Sequence, residues 1–250
     1  LGRKGERGTL KRKPAPKLWP IHRKESVWTV KPKPGPHPLS NSLPLTLIVR
    51  DMLGFAKTGK ETKNIISQGK IMVDGKVRHD ERFLVGPMDV ISIVDAKKFY
   101  RVIPSRKGLL LHPIDSEEAS FKLCRIENKH VVKGGNTDLN LHDGSISLLQ
   151  AGNSSTDGTY NTLDVVKISV PEHELLGHTK MTVGAPAILI SGKNMGKYGK
   201  IVAIEKKADK RRRDLLVTLK DENGDEFQTI LDFVFILGDA EPFISLPEAN

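Results

Sequence analysis

The chain has 250 residues, of which 38% are apolar and 28% charged, and its formal net charge is +10. That length suits two or three domains of about 100 residues each, and the apolar share is enough to build their cores. The charge is unevenly placed: residues 1–38 hold 11 Lys/Arg against two Asp/Glu, while residues 43–95, 96–175 and 176–250 are almost or fully balanced.

A basic arm on a neutral body calls for a polyanionic partner, nucleic acid before an anionic membrane. Seven prolines from Pro14 to Pro38 prevent the amphipathic helix that membrane binding would use. A single cysteine, Cys124, excludes an internal disulfide and a cysteine-rich zinc site. Within FKLCRI it reads as a buried structural thiol. With no apolar run of 18 residues and no apolar leader, the chain reads as a soluble intracellular protein. The Asn153-Ser154-Ser155 sequon then reads as a polar loop.

In chain order, LKRKPAPKLWPIHRKESVWTVKPKPGPHP comes first, at 10–38. Its prolines hold it extended and its cations repel one another, so it is not expected to fold alone. Removing it should therefore leave the stability of the body almost unchanged. Regular structure is expected from Ser42. LPLTLIVRDMLG places Leu45, Ile48, Val49, Met52 and Leu53 on one helical face, with Pro44 in the first turn and Gly54 as the stop. A second helix starts at Thr58, spaced from Glu61 as a capping box, buries Ile65 and Ile66, and ends at Gly69. Asp74-Gly75 in KIMVDGKVR marks a tight hairpin, and FLVGPMDVISI supplies a further turn and strand.

Beyond Asp95, strands are predicted at FYRVIP, GLLLHPI, SFKLCRIE, HVVKGG, SISLLQ and DVVKISV, with an exposed loop tip at AGNSSTDGTYN. From Thr182 come five more: APAILIS, GKIVAIE, LLVTLK, EFQTIL and FVFILG. Asn223-Gly224 is a second hairpin signal. Five short strands in some sixty residues suggest a small barrel.

Two motifs invite enzymatic readings, and neither survives. ISGKNMGKYGK has three residues rather than four between Gly192 and Gly196, Tyr198 in place of a hydroxyl residue, and a strand-like run after it, so it is no nucleotide-phosphate loop. As a glycine-rich loop between barrel strands it could approach RNA, with Lys193, Lys197 and Lys200 near phosphates, or be a plain turn with solvated lysines. Gly199 is expected in a left-handed conformation. HELLGH puts Gly177, not His178, four residues after His173, so it is no zinc-protease helix and reads as a linker. His112 and His142 are placed in turns without a partner. No catalytic residue, metal ligand or cofactor site is expected. In the two-helix unit Arg50, Lys57, Lys60, Lys63, Lys70, Lys76 and Arg78 are cations suited to RNA phosphates, or ordinary solvated faces.

The order WPIHRKE, VKPKPGPHP, ISQGKIMVDGKVR, VGPMDVISI, FKLCRIE, NLHDG, SGKNMGKYGKI and DENGDEFQTILDFVFILG resembles the S4e family of small-subunit ribosomal proteins, from about Gly5 to Gly238. The resemblance implies a mixed α/β multidomain protein, mostly β. It implies a basic extended N-terminal arm at 1–42 and a small α+β alpha-L RNA-binding domain at 43–95. A central β domain at 96–175, a C-terminal SH3-like KOW barrel at 176–240 and a tail at 241–250 complete it. The implied partners are 16S-type ribosomal RNA and neighbouring small-subunit proteins, in the cytoplasm, with no membrane and no homo-oligomer.

On this reading Lys11, Arg12, Lys13, Lys17, His22, Arg23, Lys24, Lys31 and Lys33 neutralise phosphates. Trp19 and Trp28 either stack on bases or cap the protein's own apolar surface. The chain ends at Asn250 without the longer basic segment of eukaryotic members and so looks archaeal. Lys57, Gly59 and Lys60 stand where many bacterial relatives of the alpha-L unit carry an arginine, and the loop 151–161 matches the family poorly. A free KOW-type RNA-binding regulator is the competing function.

Overall fold

The computed structural model describes residues 9–149, 160–205, 211–221 and 224–247. The sequon, most of the predicted loop tip and Asn223 lie outside the described residues.

Leu43, Leu45, Leu47, Ile48 and Val49 are all fully buried, and the chain is helical over Leu45–Leu47 and wider, as a π-helix, over Ile48–Met52. The Leu53 N–H donates to the Ile48 carbonyl at 2.9 Å, and Gly54 then turns left-handed at φ 68° to end the segment. Pro44 sits just before the helix as its cap. The second helix spans Gly59–Ser67: the Thr58 hydroxyl accepts the Glu61 N–H at 3.2 Å, and the Glu61 carboxylate accepts the Lys57 N–H at 2.9 Å. Both helical segments cover a five-stranded antiparallel sheet ordered Lys76–Val77, Ile71–Val73, Val90–Ile93, Lys98–Ser105, Gly108–Ile114. Its first hairpin turns at Asp74-Gly75, both left-handed, as expected. The sheet runs straight across position 95, because Val90–Ile93 pairs with Lys98–Arg101. His112 therefore lies in a strand rather than a turn.

A second five-stranded sheet runs Ile146–Leu149, Thr137–Leu141, Phe121–Val131, Val165–Ser169, Leu175–Thr179. Here three expectations need correcting. SFKLCRIE and HVVKGG are not separate strands, since Phe121–Val131 is continuous through a bulge near Glu127. TDLNL is a strand, its alternation hidden by polar Asp138 and Asn140. HELLGH is no linker: Leu175–Thr179 pairs with Val165–Ile168, and the His178 ring reaches Asp164 at 3.0 Å.

The third sheet holds all five C-terminal strands, ordered Glu226–Ile230, Leu216–Lys220, Tyr198–Ile204, Pro186–Leu189, Val234–Ile236. Gly192 and Gly196 are left-handed there, but Gly199 is not. Gly199 is required for a different reason: a Cβ would strike the Lys220 carbonyl of the paired strand. Residues 241–247 pack against the body, because Ile244 is buried in this core and Ser245 bonds the Glu118 carboxylate.

The larger correction concerns the arm. It forms a short hairpin, Leu10–Lys11 against Trp28–Thr29, and a 3-10 turn at Leu39–Asn41. Ala15 and Trp19 enter the same core as Leu43, Ile66 and Val102. Trp19 is 3% exposed, and its indole N–H donates to the Ser42 carbonyl at 2.8 Å. The Arg23 guanidinium binds the carbonyls of Arg12, Lys13, Ala15 and Pro16 at 2.8–3.0 Å, replacing the hydrogen bonds that prolines deny this segment. The Leu18 carbonyl packs against Gly108, where any Cβ would collide with it. The arm thus buries Ala15 and Trp19 and turns Lys11, Lys13, Lys17, Lys24 and Lys33 outward.

Trp19→Ala is expected to cost about 3–5 kcal/mol, the usual range for an emptied aromatic site. Urea denaturation at neutral pH checks this; an unchanged midpoint would mean that the arm is not part of the core.

Candidate nucleic-acid interface

The cations of this protein fall into two populations, and the buried one sets the frame for the exposed one. Lys122 is 2% exposed, and its ammonium lies 2.9 Å from Asp74, 2.5 Å from Asp89 and 3.0 Å from Asp143. His37 of the arm joins the cluster, with Nε2 2.9 Å from Asp89. Burial by itself would lower the Lys122 pKa, but the three carboxylates outweigh it and hold the ammonium well above its ordinary value. Burial would raise Asp89 and Asp143, yet Lys122 keeps both far below the usual carboxylate range. Asp74 goes the other way, raised by burial and by its neighbour Asp89.

Beside them His142 accepts the Arg125 N–H on Nδ1 and donates from Nε2 to the Pro87 carbonyl, both at 3.2 Å. That arrangement needs the neutral ring. Burial and then Lys122 lower its pKa to about 4, with Asp143 opposing and His37 adding to the effect. Cys124, beside Asp143, is a buried thiol pushed well above its normal pKa by burial, as its strand setting implied.

The exposed cations surround this frame. Lys11, Lys13, Lys17, His22, Lys24 and Lys33 of the arm are exposed, as are Lys57 just before the second helix, Lys60 and Lys63 on it and Lys76 of the hairpin. Lys193, Lys197 and Lys200 are exposed on the C-terminal sheet, with Lys197 5.2 Å from the Phe227 ring. Several cations, exposed Lys33 among them, are committed within the protein. Arg50 grips Asp51 through two bonds of 2.7 and 2.9 Å, Lys33 meets Asp80 at 2.6 Å, and Lys70 meets Asp95 at 2.8 Å. Arg78 stacks 4.2 Å above the Phe83 ring, and Lys31 is half-buried. Arg12 binds the His22 and Trp28 carbonyls and Glu25. Trp19 is withdrawn from any stacking role, whereas Trp28 is 54% exposed.

Two grooves bring these groups together. One lies between the arm hairpin and the helical pair and is lined by Arg12, Glu25, Ser26, Arg50, Asp51 and Lys57. The other runs between Pro14–Leu18 of the arm and the 190–195 stretch, so Lys17 and the glycine-rich loop share one face. That loop does not stand free: the Gly196 backbone lies against Ser105 and Arg106, where no Cβ would fit.

Comparison with known proteins now bears on this surface. The small ribosomal subunit protein eS4 of Desulfurococcus amylolyticus is 50% identical over 251 residues, covering 99% of each chain. The chain belongs to ribosomal protein family S4e. Within it, residues 4–40 match the RS4NT (NUC023) domain, 47–91 the S4 domain and 96–175 the Ribosomal family S4e itself. The small ribosomal subunit protein eS4 of Aeropyrum pernix is 47% identical over 99% of this chain and 98% of its own. The crystal structure of the 30S ribosomal protein S4e from Thermoplasma acidophilum superposes with a TM-score of 0.66 at 30% identity, covering 80% of this chain and 96% of that one.

Reading the sequence missed the buried cations. Lys122, Arg101 and Arg125 sit in strands whose sequence looks half-solvated, and only the packed fold shows both faces buried from Phe121 to Ile126. Lys122→Met is expected to cost at least about 3 kcal/mol at neutral pH, since it strands buried carboxylates. The loss relative to the parent should shrink at pH 5, where protonation relieves those carboxylates; chemical denaturation at two pH values reads both.

His142 gives a second pH effect. Its folded pKa near 4 lies below the ordinary 6.5, so the unfolded chain binds more protons between these values. The His142 contribution to stability should therefore be complete above pH 6.5 and fall as pH drops towards 4, by about 3 kcal/mol at most. His142→Gln should flatten that decline in a pH series of urea curves.

Proposed function

We propose that this protein is a structural constituent of the small ribosomal subunit, binding 16S-type ribosomal RNA and neighbouring ribosomal proteins without catalysing a reaction. The observation that carries the reading is the identity of about half the residues, over 99% of the chain, to proteins named small ribosomal subunit protein eS4. The S4 match over 47–91 covers the helical pair that bears Lys57, Lys60 and Lys63. The RS4NT match over 4–40 covers the lysine-rich arm. Residues 176–240 are read as an SH3-like KOW unit, supported by five short antiparallel strands and exposed Lys193, Lys197 and Lys200. Lys11, Lys13, Lys17, Lys24, Lys57, Lys60 and Lys63 are assigned to phosphates, where positioning and counterion release supply the affinity. The location that follows is the cytoplasmic small subunit.

Sedimentation of cell extract on a gradient tests the assignment. The protein should travel with the small subunit and move to the free pool after RNase digestion; a free pool insensitive to RNase would refute the reading. Charge substitution tests the surface. Because the arm is part of the core, its deletion would confound binding with folding, so Lys11, Lys13, Lys17 and Lys24 are changed together to Gln. If all four neutralise phosphates, the log–log salt dependence of rRNA binding should flatten by roughly 3–4 units, about 0.9 for each phosphate no longer neutralised. A variant with the full slope would place the phosphate-binding charge elsewhere.

A further inference from the structure

The chain has two tryptophans, and the fold treats them oppositely. Trp19 is enclosed, with its N–H satisfied. Trp28 stands on the outer strand of the arm hairpin, 54% exposed, beside Val27 at 61%. Its backbone is fixed: the Trp28 carbonyl accepts from Arg12 Nε at 3.2 Å and from the Ser26 hydroxyl at 3.2 Å. Lys11 pairs directly across from Trp28, and its ammonium lies 5.9 Å from the ring centroid. Exposed Lys13 and Lys24 lie on the same arm segment, and the groove that Arg12, Glu25, Ser26, Arg50, Asp51 and Lys57 line reaches the arm hairpin at Arg12 and Ser26. The result is an aromatic face open to solvent on a fixed backbone, with the Lys11 ammonium beside it.

An apolar pocket on a partner protein would have to bring its own surroundings up to those lysines. A nucleobase suits the site better, because it offers a flat π face and carries a phosphate on the same nucleotide. Paired bases inside a duplex have no free face, so the matching RNA element contains an unpaired nucleotide, in a bulge, loop or end. We infer that Trp28 is a stacking platform for one unpaired nucleobase of the bound RNA, with Lys11 placed to meet that nucleotide's phosphate. The inference rests on the RNA-binding reading above and adds the kind of nucleotide and its seat.

The test uses the intact protein with two RNAs, a ten-nucleotide single-stranded oligoadenylate and a blunt ten-base-pair duplex, with binding followed by anisotropy and by tryptophan fluorescence. Trp19 contributes a constant background because it is enclosed. The single strand should quench the Trp28 emission, and the duplex at equal occupancy should not. Trp28→Ala should weaken oligoadenylate binding about 5- to 100-fold, with the salt dependence unchanged, since stacking releases no counterions. Trp28→Phe should retain most of the affinity, and an unchanged melting temperature for both variants would exclude a folding defect.

If the single strand binds without quenching and Trp28→Ala binds it as tightly as the parent, the platform is refuted while RNA binding stands. If neither RNA nor intact rRNA binds, the underlying reading fails and the platform with it. If purified small-subunit proteins quench Trp28 in the absence of RNA, the surface is a protein contact and the inference is overturned.

Discussion

The Lys122 ammonium touches carboxylates from three separate turns: Asp74 in the first hairpin, Asp89 ahead of strand Val90–Ile93, and Asp143 in the turn of the central sheet. His37 adds the arm through Asp89. Withdrawing the strand that bears Lys122 would leave buried carboxylates without their counter-charge, and withdrawing either aspartate-bearing turn of the first sheet would strip the ammonium of one of its three acceptors. Such a loss costs several kcal/mol, whereas the same pairs on the surface would be worth a fraction of that. The arm, the S4-like unit and the central sheet are therefore tied by one group that none of them satisfies alone.

Two arginines repeat the device in milder form. Arg101, fully buried, spreads its guanidinium over the Glu118 carboxylate and the carbonyls of Met88, Glu118 and Phe121. Arg125 pairs with Glu127 and reaches the Asp232 and Val234 carbonyls, joining the central sheet to the C-terminal one. The planar fork has several donors at fixed angles, which suits the irregular carbonyls where sheets meet better than a lysine would. Positive charge thus has two uses in this chain. Inside, Lys122, Arg101 and Arg125 are paired and fix the units to one another; outside, Lys11, Lys13, Lys17 and Lys24 stay solvated and open to a polyanion.

The arm shows how both uses meet in one segment. Trp19 and Ala15 bury their apolar surface, Arg23 closes four carbonyls, and His37 enters the buried ion cluster, while Lys11, Lys13, Lys17 and Lys24 face water. Cations held on a folded hairpin are already placed when a partner arrives. Less conformational entropy then opposes binding than a free tail of the same composition would lose.

Local elements were legible in the sequence wherever a short-range rule decides. The Leu45–Leu53 periodicity, the Thr58–Glu61 cap, the Asp74-Gly75 turn and the five C-terminal strands are all written in adjacent residues, and the motif order carried the family. The sequence also indicated which lysines are present in excess, because charge counting needs no fold. Tertiary structure alone decided what depends on contacts between distant residues. It settled which tryptophan is enclosed, placed Lys122 among three aspartates 21 to 48 residues away, and carried the first sheet across position 95. It also explained Gly199 by a neighbouring strand rather than by its own backbone angle. A lysine inside an alternating strand looks the same in sequence whether it meets water or carboxylates; the difference lies in desolvation, which exists only once the sheets have packed.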